Sequence, residues 1–197
     1  MALPIIAYGH SILRKKCIDI PSAFDGFDIL IRNLWDTLEI SGGVGLASTQ
    51  INSNQNVFVV NSKLMYEGLN DKDKKDLFPD DEGIIETFCN ARITSESDRV
   101  WSDIESCLSI PGIAEQVERL WEIIIEYQDR ELKPQKKTFT GYTARVIQHE
   151  YDHTQGVLFI DHLPVLRKRL LKFRLDKIIK GKAKTNYKIR YYKKNLY

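Results

Sequence analysis

His149 and His153 stand four residues apart in the stretch IQHEYDHTQG, with Glu150 directly after the first histidine. On a helix, positions i and i+4 share a face, with Cβ atoms roughly 5–6 Å apart. Two imidazoles at that spacing can grip one metal ion, and the neighbouring carboxylate can handle protons beside it. The bland alternative is a pair of ordinary helix histidines; the chain has only four histidines, and half of them fall in this pattern. A catalytic site of this kind takes three protein ligands and leaves one position open. The longer zinc-protease pattern needs a histidine at position 159, where Phe159 stands. A glutamate from a later helix is excluded, because none follows Glu150. Asp161 and His162 could ligate only if the chain folded back after GVLFI, a run that reads as strand-like. Cys107, in DIESCLSIPG, is a further candidate, since a thiolate with two neutral imidazoles completes a three-ligand set. Its bland alternative is a small buried hydrophobe, which is the reading kept for Cys17 and Cys89.

These residues need elements to position them. From about Gly141 to Thr154 the pattern is helical, with Ala144, Ile147 and Tyr151 along one stripe and the histidine pair beside it. Residues 24–40 carry Phe27, Leu30, Ile31, Leu34 and Leu38, an amphipathic helix that Asp25 can cap. The segments 56–61, 86–93 and 121–127 are rich in β-formers and read as strands, and DRELKPQ (129–135) reads as a hairpin turn. Residues 66–83 are polar and charged, a surface insertion. Val165 to Lys180 reads as a basic amphipathic helix, with Leu166, Leu170, Phe173, Ile178 and Ile179 as its apolar positions. Strands ahead of a late helix that carries the chemistry make an α+β class.

The chain has 197 residues, 43% apolar and 28% charged, which suits one globular domain. No apolar run approaches the ~18 residues of a membrane span, and the N-terminus has no secretory pattern. Three widely spaced cysteines do not make a disulfide framework, so a reducing cytoplasm is the expected setting. The net charge of +2 conceals an asymmetry: residues 166–197 hold thirteen Lys/Arg and one acid, and the rest of the chain is acidic. Such a tail suits an anionic surface such as RNA, or docks as a solvated helix on its own acidic body. YKIRYYKK (187–194) interleaves aromatic and basic residues, as RNA-binding segments do.

Three segments in order, GVGLASTQ (43–50), ESCLS (105–109) and QHEYDH (148–153), together resemble the motifs of the peptide deformylases. The likeness extends to ILRKKC near the N-terminus and covers most of residues 1–180. It implies antiparallel or mixed sheets around a central helix bearing His-Glu-x-x-His, followed by a C-terminal helix. It implies a catalytic domain over 1–165, and a basic helix and tail over 166–197 that belongs to the same domain or is flexible at its end. By resemblance Cys107, His149 and His153 hold one divalent metal ion, usually Fe2+, with Zn2+, Ni2+ or Co2+ able to substitute. The implied reaction removes the formyl group from the initiator methionine of nascent peptides. Glu150 would move the proton, and Gln50 with the Leu108 N–H would stabilise the oxyanion. Gly43 and Gly45 would let the peptide backbone approach in an extended pose. Val44, Tyr142, the stem of Arg145, and Val146 are candidates for the methionine pocket; Asp152 either holds a ligand histidine or makes a salt bridge elsewhere. A basic C-terminal helix implies the ribosome as a partner.

The sequence departs from the family pattern in three places. Ser48 stands for a usual alanine, Ser106 for the glycine before the cysteine, and Ala114 where many members carry an arginine. Ser106 is therefore expected beside the substrate backbone, with an effect on turnover. Two other readings compete: a weakly active relative that binds N-terminal peptides, and a ribosome-associated protein whose function lies in the tail.

Overall fold

The computed structural model describes residues 1–192. Five antiparallel strands form the main sheet, in the order β2 (Gly45–Ala47), β3 (Val57–Asn61), β4 (Ile85–Glu96), β7 (Glu122–Gln128), β8 (Pro134–Thr140). A second ribbon pairs β5 (Val100–Ser106) with β6 (Ala114–Leu120) in antiparallel register. A third, parallel pair joins β1 (Ile5–Ile6) to β9 (Ile189–Arg190), the two ends of the chain. Helix α4 (Gly141–Thr154) runs through the centre. The fold is α+β, as the strands and the late helix implied.

Helix α4 is low in apolar residues, yet ten of its fourteen positions are buried. Several of its buried polar side chains find partners, which offsets the desolvation cost. The Gln148 side chain accepts from the Leu120 N–H at 3.3 Å and donates to the Leu120 carbonyl at 2.9 Å. Thr143 lies 3.0 Å from the Ser62 hydroxyl. Its apolar stripe, Ala144 and Ile147, packs on Phe58, Phe88, Ile123 and Ile125 of the sheet. Along β6 and β7 buried and outward residues alternate, the period of a half-buried strand.

Several expectations are corrected. Helix α1 (Phe27–Ser41) buries Ile31, Leu34 and Leu38 as its spacing required, but Gly26 occupies its cap position and Asp25 does not cap it. GVLFI is not a strand: Phe159–His162 is a 3-10 turn, closed by Asp161, which accepts from the Leu158 N–H at 2.8 Å. The 66–83 segment is structured. It contains the end of α2 (Lys63–Glu67) and all of α3 (Asp71–Leu77), and its Phe78 is buried against Tyr66 and Tyr142.

Helix α5 (Val165–Ile179) turns a different face inward from the one expected. Leu171, Leu175 and Ile178 are buried, while Leu166, Leu170 and Phe173 are 70%, 62% and 69% exposed. Arg167 pairs with Glu115 on β6, and Arg174 donates to the Gly112 carbonyl. After α5 the chain runs back across the molecule, where Tyr187, Ile189 and Tyr191 are half-buried. Residues 187–192 of this segment are docked on the body rather than free; Lys193 and Lys194 of YKIRYYKK, and residues 195–197, lie outside the described residues.

Candidate metal centre

Helix α4 presents His149 and His153 one turn apart, and β5 delivers Cys107 just past its end. The Cys107 Sγ lies 3.3 Å from His153 Nε2. One ligand atom from each of Cys107, His149 and His153 falls within 4.8 Å of the others, and among the described residues no other His/Cys/Asp/Glu group is gathered this way. Bonds of 2.0–2.3 Å at tetrahedral angles put ligand atoms roughly 3.3–3.8 Å apart, so the three groups suit one ion. Asp161 and His162 are elsewhere: Asp161 pairs with Arg14, and His162 lies 2.7 Å from Asp152.

The histidine tautomers fit the same purpose. Glu105 Oε2 sits 2.9 Å from His149 Nδ1, which leaves Nε2 to face the cysteine. Glu105 also accepts from Arg119 through Nε at 2.9 Å and Nη2 at 3.0 Å, and from Arg145 Nη1 at 2.7 Å. Burial opposes charge on Glu105, but the hydrogen bonds from His149 and Arg119 outweigh it and hold the carboxyl well below its usual range. Burial has the opposite outcome at Glu150, which it pushes up to about 7. Glu150 Oε2 and His153 Nδ1 are buried with no hydrogen-bond partner among the described residues. An orphaned carboxylate oxygen beside a thiol and two imidazoles is what a metal-and-water centre requires.

A cavity of about 730 Å³ opens over these groups. Gly43, Val44 and Gly45 line one side, Ser106, Cys107 and Leu108 another, and Tyr142, Arg145 and Val146 lie along α4. Gln50 reaches in from the 3-10 turn Ser48–Ile51. Its Oε1 accepts from the Ala47 N–H at 2.8 Å, which aims Nε2 at Ser109 Oγ (3.2 Å) and Cys107 Sγ (3.6 Å).

A sequence model of the polypeptide deformylases matches residues 2–169. The chain belongs to the peptide deformylase family. It is 42% identical to the peptide deformylase of Christiangramia forsetii over 97% of this chain and 96% of that one. To the peptide deformylase of Cytophaga hutchinsonii it is 38% identical over 97% and 98%. Its fold is similar to the crystal structure of a peptide deformylase from Legionella pneumophila, with a TM-score of 0.76, 27% identity and coverage of 94% and 99%.

Within this deformylase the structure adds detail to the sequence reading of several residues. The two glycines leave room for the protein's own side chains. A Cβ on Gly45 would lie 2.5 Å from Glu150 Oε1, and one on Gly43 2.9 Å from Leu108 Cδ1. Of its two expected roles Asp152 takes the salt bridge and does not orient a ligand histidine: it accepts from Arg119 Nη1 at 2.5 Å and lies against His162. Glu105 has that role instead. It stands inside the ESCLS stretch, but only the strand register that buries it beside Arg119 and α4 reveals its task. Arg145 spends its guanidinium on Glu105 and the Trp101 and Val117 carbonyls, so only its stem is left for the pocket. Ser48 is buried and donates to the Gln55 carbonyl, whereas Ser106 is exposed at the cavity, opposite Ala114 in the ribbon. Residues 184–187 form a further wall of the cavity that no motif announced.

Proposed function

We propose that the protein hydrolyses the N-formyl group from the initiator methionine of nascent polypeptides, with Fe2+ held by Cys107, His149 and His153. The observation that carries this is the convergence of those three groups beside a buried, unpartnered Glu150 oxygen at the floor of an open cleft. A thiolate with two imidazoles suits several first-row ions, so Zn2+, Ni2+ or Co2+ can take the place of iron. A divalent ion there supplies Lewis acidity and a water whose pKa falls to about 7.

The chain's own residues do the rest. Glu150 accepts a proton from the attacking water and delivers it to the amine nitrogen as the C–N bond breaks, leaving formate and a free N-terminus. Burial, which raises this carboxyl in the metal-free protein, favours its holding the proton between the two transfers. Gln50 Nε2 and the Leu108 N–H are the donors we assign to the oxygen that gains charge; losing one such donor costs about 2.7–4 kcal/mol in comparable sites. The peptide lies extended between the 43–45 loop and the end of β5 at Ser106, adding a strand in the manner of β-augmentation. Val44, Tyr142, Val146 and the Arg145 stem enclose the methionine side chain.

The cytoplasm is the compartment we assign. Cys17, Cys89 and Cys107 are unpaired, and among the described residues no helix is long and apolar enough to cross a membrane. We take α5 to be integral to the catalytic domain and its outer face to be a ribosome-docking surface, supported by exposed Leu166, Leu170 and Phe173 among lysines and arginines.

The decisive assay gives anaerobically prepared, metal-quantified protein formyl-Met-Ala-Ser and follows formate. The wild type releases formate; Glu150→Gln keeps its metal and loses about 10²–10⁴-fold in rate. A metal-replete wild type that releases no formate overturns the proposal and favours a binder of N-terminal peptides.

A further inference from the structure

The segment after α5 is a strap built into the cleft. Residues 183–192 leave the helix and return to the N-terminus, where β9 lies on β1. The Ile5 N–H donates to the Lys188 carbonyl and the Ala7 N–H to the Arg190 carbonyl, each at 2.9 Å. The strap is also fixed internally: the Tyr191 hydroxyl donates to the Ala183 carbonyl, and the Thr185 hydroxyl to the Tyr187 carbonyl at 2.7 Å. It follows the residues that match the family pattern, which end at 169. Yet Lys184, Thr185, Asn186 and Tyr187 face the same cavity as Cys107, His149 and Glu150.

From this strap the Tyr187 hydroxyl donates to the Leu108 carbonyl at 2.8 Å. The loop over residues 107–110 has its carbonyls taken one by one. That of Cys107 accepts from the Ile110 N–H at 2.9 Å, that of Ser109 from the Tyr8 N–H at 2.8 Å, and that of Leu108 from Tyr187. A trans peptide is planar, so each residue keeps only two soft torsions. The Leu108 N–H shares its plane with the Cys107 carbonyl, and the φ and ψ of Leu108 separate that plane from the one Tyr187 holds; with a hydrogen bond on each plane, neither torsion is free to swing the N–H away. The Tyr187 ring packs in the same apolar cluster as the Leu108 side chain, so the hydroxyl is held to its acceptor by the ring's burial.

We propose that Tyr187 is a positioning residue for deformylation: through the Leu108 carbonyl it holds the Leu108 N–H in line with the oxygen that gains charge. The proposal rests on the assignment of that N–H as an oxyanion donor. Its effect belongs to the transition state, because the donor strengthens only as charge develops.

The test is Tyr187→Phe in the full-length, metal-quantified protein, which keeps the ring and loses only the hydroxyl. The expected result on formyl-Met-Ala-Ser is a kcat lowered about three- to ten-fold, the span of one net hydrogen bond, with KM held within about two-fold. Metal content and thermal midpoint stay at the wild-type values, and hydrogen exchange at the Ile110 amide, which bonds the Cys107 carbonyl, speeds up. An unchanged kcat overturns the inference, as does a loss of rate that tracks falling metal content or a falling midpoint. A wild type without deformylase activity overturns the reading of function beneath it. An active wild type whose variant keeps its kcat overturns the positioning role alone.

Discussion

Glu105 is the carboxylate on which the metal-holding face of the cleft turns. It orients His149 and neutralises two arginines that have almost no access to water, Arg119 and Arg145. Replacing it with glutamine keeps the shape but removes the charge, and an amide cannot accept from all three donors while also placing its own N–H groups. Partners of this kind, one shell outside the metal, typically carry 10- to 100-fold in affinity. Glu105→Gln should therefore weaken metal binding by about that factor, read by competition with a chelator; wild-type affinity in the variant would remove Glu105 from the centre. The site was legible in the sequence where it is local. His149, Glu150 and His153 lie within one helical turn, so spacing alone placed them. Cys107 and Gln50 lie far away in sequence and were found through their order with the other motifs. Glu105 and Tyr187 had no signal of their own, because their partners are set by strand register and by the path of the strap.

At the scale of elements, the β5–β6 ribbon and α4 are joined by buried charge. Arg119 on β6 bridges Glu105 on β5 and Asp152 on α4. Glu105 and Asp152 are both held below their ordinary values: burial opposes this, but hydrogen bonds from His149 and Arg119 to Glu105, and from His162 and Arg119 to Asp152, prevail. A carboxylate with a lowered folded-state value binds protons less readily than the unfolded chain. Its stabilising contribution is full above about pH 4, where unfolded carboxyls ionise, and is lost as the pH falls through the folded value. Glu150 has the reverse sign. With its value raised to about 7, the folded metal-free protein binds the proton first, so stability declines as pH rises from about 4 through 7. The metal-free protein should be most stable in mildly acid solution, roughly pH 5–6, and denaturant midpoints across pH 3–8 will show the maximum. A steady rise from pH 5 to pH 8 would contradict the burial of Glu150. The same ribbon shows why some strands escaped the sequence reading. VWSDIES and AEQVERL turn Glu105, Glu115 and Arg119 inward and Val100 and Ile104 outward, so burial there does not follow the polar and apolar pattern of the sequence. GVLFI misleads in the other direction: four apolar residues after a glycine read as strand, while the Asp161 side chain closes them into a turn.

For the whole molecule, the basic half of helix α5 divides into an inner and an outer role. Arg167 and Arg174 are committed to β6 and the 111–113 turn, while Leu166, Leu170 and Phe173 line the outside one helical turn apart. An apolar row among lysines fits a surface that is both anionic and grooved, as ribosomal RNA with its proteins is. Leu170→Ser together with Phe173→Ser should lower co-sedimentation with ribosomes several-fold at physiological salt and leave hydrolysis of short formyl peptides unchanged. Equal co-sedimentation would discard the docking face. The charge asymmetry along the chain pointed to this helix, but only the packing of Leu171, Leu175 and Ile178 decided which side faces outward.

The parallel pair that joins residues 5–6 to residues 189–190 gives the cleft a wall that depends on contacts far apart in sequence. Closing so long a loop is entropically costly, and pairings of that separation form slowly. The strap is therefore expected to dock after the local parts of the cleft, such as helix α4 and the β5–β6 ribbon, have assembled.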